Sequence, residues 1–151
     1  MTSDRTAASA RIRRRRFAAA AALGPVIVVG LVVHAVVPGD VGDIAGDALY
    51  ATLMALLLVL ILPRTRPLGI AIGAALVCAA VETLQLTTIP RALAEVFPPI
   101  ALVLGSGFDA RDLVVYSSAA VAVAVVDHVA QVMLRTAEGN AEGALPEESA
   151  F

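Results

Sequence analysis

Four long apolar stretches alternate with short polar connections along the chain. They cover residues 17–37, 44–62, 68–88 and 113–134. Each is long enough to cross a bilayer as a helix, because about 20 residues span the hydrocarbon core. Turn-forming residues interrupt the stretches at Pro38–Asp43 and at Pro63–Pro67. The pattern predicts an all-α membrane protein with a four-helix transmembrane bundle.

The longest connection, residues 90–112, has an apolar middle that runs from Ala92 to Leu104. This middle is too short to cross a bilayer, and Pro98 and Pro99 interrupt it. We therefore expect a short interfacial or re-entrant segment between spans three and four.

Arginine placement predicts the orientation of the bundle. Six arginines precede span one, Arg64 and Arg66 connect spans two and three, and Arg135 follows span four. Only Arg91 and Arg111 fall on the opposite side. Because basic residues concentrate on the cytoplasmic side, both termini are expected inside. The resulting units are a basic cytoplasmic N-terminus (1–16), a transmembrane domain (17–134) and an acidic, disordered C-terminal tail (135–151).

An alternative interpretation of span one is a cleavable signal peptide, since an arginine-rich flank precedes its apolar stretch. Cleavage would leave three spans and would keep the C-terminus inside.

The composition indicates a membrane protein and limits the kinds of partner that we expect. Hydrophobic residues make up 59% of the chain and charged residues 16%, with a net charge of -2, whereas a soluble domain carries roughly a quarter charged residues. The single basic cluster adjoins an apolar span, so we expect a lipid bilayer and no nucleic acid as partner. The lone Cys78 excludes an internal disulfide. No cofactor is predicted.

The abundance of Ala and Val and the absence of Lys indicate a bacterial protein. We expect it to be a multi-pass protein of the inner membrane.

Polar residues gather at the predicted outer ends of spans two, three and four. Asp43, Asp47 and Tyr50 share one helix face at spacings of four and three, and Glu82 shares a face with Gln85. The predicted binding or structural cluster consists of Asp47, Tyr50, Glu82, Gln85, Arg91, Asp109, Asp112 and Tyr116.

Glu82 is the most informative of these residues because it lies inside a span. An ionisable group there is costly and faces the bundle interior with a partner. Arg91 or Arg111 is the expected partner, since a guanidinium pairs a carboxylate in bidentate geometry. The alternative is a purely structural polar knot that holds the helices together.

Weaker candidates lie elsewhere. Asp127, His128 and Gln131 fall in the inner half of span four, and His34 lies near the outer end of span one. Two histidines on opposite sides do not predict a metal site. Gly69 and Gly73 form a small-xxx-small pattern, which permits close helix approach and predicts a second copy of the chain as partner.

Several short motifs resemble a known group of proteins. The motifs Glu82-x-x-Gln85, Arg91 and Asp112 resemble the VanZ-like membrane proteins. Together with Gly46–Ala51, Gly107-Phe108 and Asp112-Leu113-x-x-Tyr116, they are closer to a small uncharacterised bacterial membrane family of unknown function. The resemblance covers roughly residues 42 to 127. VanZ-like proteins carry Asn four places after the final Asp, where this chain has Tyr116. The resemblance implies where the site lies in the chain and a role at the cell envelope, but it does not imply an activity.

Three functional hypotheses remain at this point. The first is a non-transporting envelope protein whose outer-leaflet polar pocket binds a lipid headgroup or a cell-wall component. The second is a membrane enzyme on a lipid-linked substrate with Glu82 as acid or base, although no strong catalytic signature is present. The third is a structural or partner-binding subunit. A small transporter also stays open, with Asp127, His128 and Gln131 as its only polar groups in the inner half.

Overall fold

The computed structural model describes residues 2–105 and 107–143, and over this part the secondary structure is helical. The helices are α1 (Thr2–Val36), α2 (Gly39–Ile61), α3 (Pro67–Gln85), α4 (Ile89–Val96), α5 (Ala101–Leu104) and α6 (Ala110–Gly143), with a 3-10 helix at Pro98–Ile100. Helices α1, α2, α3 and α6 are long and apolar enough to cross a membrane. The prediction of an all-helical chain with four candidate spans is confirmed.

The helices extend beyond the predicted spans at both chain ends. Helix α1 already includes the basic N-terminal segment, so this segment and span one form one continuous helix. Helix α6 continues beyond the predicted end of span four at Leu134 and reaches Gly143. Ala and Glu are good helix formers, and the first proline of the tail is Pro146, which explains the continuation. Residues 144–151 of the predicted tail lie outside the described residues.

The turn between α1 and α2 is tight and depends on glycine. Gly39 adopts a φ of 70°, a left-handed conformation that glycine enters without steric cost. A Cβ at Gly42 would overlap the backbone carbonyl of Val37. The short turn makes α1 and α2 antiparallel neighbours.

Helix α2 is central, because it contacts α1, α3 and α6, while α3 also contacts α6. The chain runs up and down, so the start of α2, the end of α3 and the start of α6 meet at one end of the bundle. The first half of α1, the connection between α2 and α3, and the second half of α6 meet at the other end. These two ends carry the polar side chains discussed below.

Small side chains fill the interior and large apolar side chains cover the outside. Ala51, Ala55 and Ala74 are fully buried, whereas large residues such as Val28 and Leu76 are exposed. This distribution suits lipid surroundings, where helices associate through small residues and apolar side chains face acyl chains.

Gly73 belongs to this close packing within the chain. A Cβ added there would lie 3.1 Å from Cδ1 of Leu58 in α2, while Gly69 is exposed. Gly73 therefore allows α2 and α3 to pack closely against each other. A second copy docking on Gly69 and Gly73 stays a prediction.

The connection between α3 and α6 is made of α4, the 3-10 helix and α5, none of which is long enough to span a membrane. Its apolar side chains Val96, Phe97 and Val103 are exposed. Whether the segment is interfacial or re-entrant stays a prediction.

Candidate functional site

Three carboxyl groups from three helices meet around one tyrosine at the first end of the bundle. Asp47 comes from α2, Glu82 from α3 and Asp112 from α6, and each lies within electrostatic range of the other two. The Tyr116 hydroxyl donates a hydrogen bond to Asp47 Oδ1 at 3.3 Å. We call these four residues the acidic cluster. Helix order alone brings together residues that are up to 69 positions apart.

Glu82 is the centre of the acidic cluster and is 0% exposed. Its Oε1 accepts a hydrogen bond of 2.5 Å from the backbone N–H of Asp109, the residue directly before α6. Free N–H groups and the helix dipole favour an acidic group at a helix start. Its second oxygen, Oε2, is buried and has no hydrogen-bond partner within the described part of the chain.

The predicted ion pair between Glu82 and an arginine is wrong. Arg91 is exposed on α4, and it makes no ion pair with any residue that the structure describes. Arg111 pairs with Asp40, Asp109 and Asp112 instead. The backbone N–H of Asp109 takes the place expected for a guanidinium, and Arg111 stays 37% exposed, where water can hydrate it.

Arg111 is shared among its three carboxylates and holds none of them closely. The distances are 3.5 Å to Asp40, 3.7 Å to Asp109 and 3.6 Å to Asp112, whereas a charge-assisted hydrogen bond is about 2.7–2.9 Å long. Its Nε is buried without a hydrogen-bond partner in the described chain. This end of the bundle therefore carries more carboxyl groups than cations.

Gln85 and Tyr50 complete the predicted set around the acidic cluster. Gln85 Nε2 donates to the carbonyl of Leu104 at 2.7 Å, while its Oε1 is buried without a partner among the described residues. The ring of Tyr50 lies 6.1 Å from that of Tyr116 at a tilt of 56°, which is a favourable aromatic arrangement. The structure thus brings together all the predicted site residues except Arg91.

Gly105 permits the close approach of the connection to Gln85. Its φ is 67°, and a Cβ there would collide with Gln85 Nε2. A glycine is required at this position both by the backbone conformation and by the hydrogen bond between Gln85 and Leu104.

A second polar centre lies at the opposite end of the bundle, where sequence reasoning named Asp127 and Gln131 as weaker candidates but missed Arg15. Arg15 of α1 forms a bidentate pair with Asp127 of α6, with Nε to Oδ1 at 3.1 Å and Nη2 to Oδ2 at 2.6 Å. Arg15 Nη1 also donates to the carbonyls of Pro63 and Thr65 at 2.6 and 2.7 Å. Gln131 donates to Asp127 Oδ1 at 3.1 Å. We call the contacts of Arg15 with Asp127, Pro63 and Thr65 the Arg15 clamp.

The remaining candidates contribute little to either centre. His34 and His128 are exposed, and Cys78 is a buried free thiol packed with Ala51 and Tyr116. Among the described residues, no group of three or more His, Cys, Asp or Glu side chains is arranged to hold a metal ion.

The four apolar helices and the buried polar cluster between them define a multi-pass helical membrane protein. A family profile described as a protein of unknown function (DUF2809) matches residues 36–118, which is more than half of the chain. The chain therefore belongs to the DUF2809 family. The expected membership of an uncharacterised family is confirmed, and the likeness to VanZ-like proteins stays a prediction. No curated protein and no solved structure matches the chain.

Proposed function

We propose that this protein is a non-transporting envelope protein whose acidic cluster binds a headgroup rich in N–H or O–H donors. The headgroup belongs to a lipid or to a cell-wall component. The observation that carries the proposal is Glu82, which is fully buried inside a candidate membrane span and has a carboxyl oxygen with no hydrogen-bond partner in the described part of the chain. A polar residue in that position marks a functional site by default, because burying it in the membrane is costly.

The unpartnered atoms around Glu82 specify the chemistry of the ligand. Four buried acceptors lack a hydrogen-bond partner among the described residues, namely Asp47 Oδ2, Glu82 Oε2, Gln85 Oε1 and Asp112 Oδ1. One buried donor, Arg111 Nε, also lacks a hydrogen bond among the described residues and lies 3.6 Å from Asp112 Oδ1 within their ion pair. Leaving a buried acceptor unpaired costs about 1–3 kcal/mol. A ligand that offers several donors would recover this free energy, and an ammonium group or sugar hydroxyls would do so.

The location of the cluster supports a headgroup rather than a soluble ligand. The distribution of arginines predicts that this end faces away from the cytoplasm, at the outer leaflet of the inner membrane of a bacterium. Asp109 and Asp40 at the rim are 50% and 87% exposed, while Glu82 lies deeper. A headgroup could therefore meet exposed carboxylates first and buried acceptors second.

The test compares two lipids that differ in their N–H donors alone. Phosphatidylethanolamine carries an ammonium with three N–H groups, and phosphatidylcholine carries the same phosphate with a fully methylated ammonium. We expect native mass spectrometry of the purified full-length chain to show preferential binding of phosphatidylethanolamine. Glu82→Gln should abolish this preference, because the amide has lost the charge and one acceptor. Glu95→Gln, the same exchange at an exposed residue of α4, is the matched control and should bind as the wild type does.

A neutral glucosyl diacylglycerol forms the second arm of the test, since its donors are O–H groups. Preference for this glycolipid alone would identify a sugar headgroup, and preference for phosphatidylethanolamine alone would identify an amine. If the wild-type chain binds neither lipid more tightly than phosphatidylcholine, the proposal fails.

A structural role for the same residues is the second candidate, and two hydrogen bonds favour it. Glu82 holds the backbone of Asp109, and Gln85 holds the carbonyl of Leu104. Both bonds fasten the connection before α6 to the end of α3. If the cluster is only structural, Glu82→Gln should lower the folded yield in membranes and leave the lipid preference of the remaining folded protein unchanged.

A further inference from the structure

A cavity of about 760 Å³ lies at the end of the bundle opposite the acidic cluster. It is bounded by the first half of α1, the connection between α2 and α3, and the second half of α6. None of its lining residues belongs to the acidic cluster. Cavities that hold small ligands have volumes of about 300–1,000 Å³, so this one is large enough to hold a ligand group.

The lining of the cavity is strongly basic. Arginines at positions 11, 15, 64, 66 and 135 line it together with His128, and no Asp or Glu is among the described residues that line it. Arg15 is neutralised by Asp127 within the Arg15 clamp. In contrast, Arg64, Arg66 and Arg135 are exposed and make no ion pair with any described residue. The cavity therefore has uncompensated positive charge.

The Arg15 clamp fixes the walls of the cavity. Arg15 and Asp127 are 10% and 14% exposed, and four hydrogen bonds from Arg15 reach α6 and the connection between α2 and α3. The guanidinium is held by these protein acceptors, so its role is to position the walls. The three exposed arginines are then the groups that can contact a ligand.

The cavity also has an apolar part that continues towards the membrane-spanning surface. Leu68, Val121, Val125 and Val132 line it, and all four side chains belong to candidate membrane spans. A ligand with an anionic head and acyl chains matches both parts. Basic pockets between transmembrane helices bind the headgroups of anionic lipids by the same combination of charge and apolar surface.

We infer that this basic cavity is a binding site for the phosphate headgroup of an anionic phospholipid. Arg64, Arg66 and Arg135 contact the phosphate, and the valine side chains of α6 contact the upper part of the acyl chains. The inference does not rest on the acidic cluster, because the two regions share no residue and bind different chemical groups, hydrogen-bond donors in one and an anionic phosphate in the other.

The test measures lipid selectivity of the full-length chain in detergent by native mass spectrometry. Phosphatidylglycerol and phosphatidylcholine with identical acyl chains compete for the wild-type protein. We expect phosphatidylglycerol to be preferred by at least about tenfold, since each arginine near an anionic lipid contributes about a fivefold gain in affinity. The double variant Arg64→Gln/Arg66→Gln should lose about 25-fold of its affinity for phosphatidylglycerol, and binding of phosphatidylcholine, whose choline cation offsets the phosphate charge, should fall much less, so that the preference shrinks.

Two further variants make the result decisive. Arg135→Gln lies on a different helix and should cost about fivefold, so it tests the site even if the double variant does not fold. Arg91→Gln removes an exposed arginine outside the cavity and should have no effect. Equal binding of the two lipids by the wild type would overturn the inference, as would an unchanged preference in the arginine variants. Binding of free glycerol 3-phosphate as tight as that of phosphatidylglycerol would identify a soluble phosphate ester and overturn the lipid assignment.

Discussion

The Arg15 clamp should contribute more to stability than any other polar contact at the basic end, and Asp127→Asn tests this. The exchange keeps the side-chain volume, but it removes the charge and places an amide N–H₂ against the donors of Arg15. Arg15 is only 10% exposed, so water replaces the lost acceptor poorly. Breaking one partner of a buried ion pair costs about 3–5 kcal/mol, whereas interhelical hydrogen bonds in membranes average about 0.6 kcal/mol. Because the pair is charged and bidentate but is still 10–14% exposed, we expect a loss of about 3 kcal/mol.

The assay is reversible unfolding in mixed detergent micelles, with helix content followed by circular dichroism. A double-mutant cycle with Arg15→Gln isolates the coupling between the two side chains. The double variant should be more stable than the sum of the single effects predicts, by about 2 kcal/mol. Asp43→Asn, an exposed aspartate at the opposite end, is the matched control and should change stability by less than about 0.5 kcal/mol. Additive single effects, or equal effects of Asp127→Asn and Asp43→Asn, would refute the reasoning.

Two further predictions concern the other end of the bundle and use the same unfolding assay. Gly105→Ala should destabilise the protein by about 2 kcal/mol because of its positive φ and the collision with the side chain of Gln85. Gly107→Ala, where a Cβ meets open space, should be nearly neutral, and equal losses at both glycines would contradict the account. Tyr116→Phe removes the hydrogen bond to Asp47 and should cost about 1 kcal/mol, while unchanged stability would mean that this 3.3 Å contact contributes nothing.

The four apolar helices could be predicted from the sequence because hydrophobic length is a direct physical requirement of a bilayer. The ends of the helices were harder to predict. Neither Arg16 nor Arg135 breaks helical backbone, so a change from apolar to charged residues marks the edge of the membrane and not the end of α1 or α6. Pro63 was interpreted correctly as part of a connection, whereas α2 already begins at Gly39, so most of the predicted connection between residues 38 and 43 is helical.

The location of the candidate site could be predicted from the sequence, but the hydrogen-bond partner of Glu82 could not. Helix spacing and up-and-down order placed Glu82, Asp112 and Tyr116 together. The partner of Glu82 is a backbone N–H, and a sequence pattern of side chains contains no signal for backbone donors. The role of Arg15 could not be predicted for a different reason. It lies within a run of four arginines that contribute equally to the predicted orientation, and only the rotation of α1 decides which one faces Asp127.

The distribution of polarity between the two ends bears on the choice between binding and transport. The acidic cluster and the basic cavity are separated by a layer in which Ala55, Ala74 and Ala120 are buried to 99% or more, with Val59 and Ile70 beside them. Moving a charged solute through such a layer is costly, since a buried charge without a partner loses its hydration. Carrying a solute from one end to the other would therefore require the helices to separate along this buried layer. This buried apolar layer favours two independent binding regions, one for donor-bearing groups and one for phosphates, over a single path. It also predicts that substitutions in the basic cavity leave lipid selectivity at Glu82 unchanged.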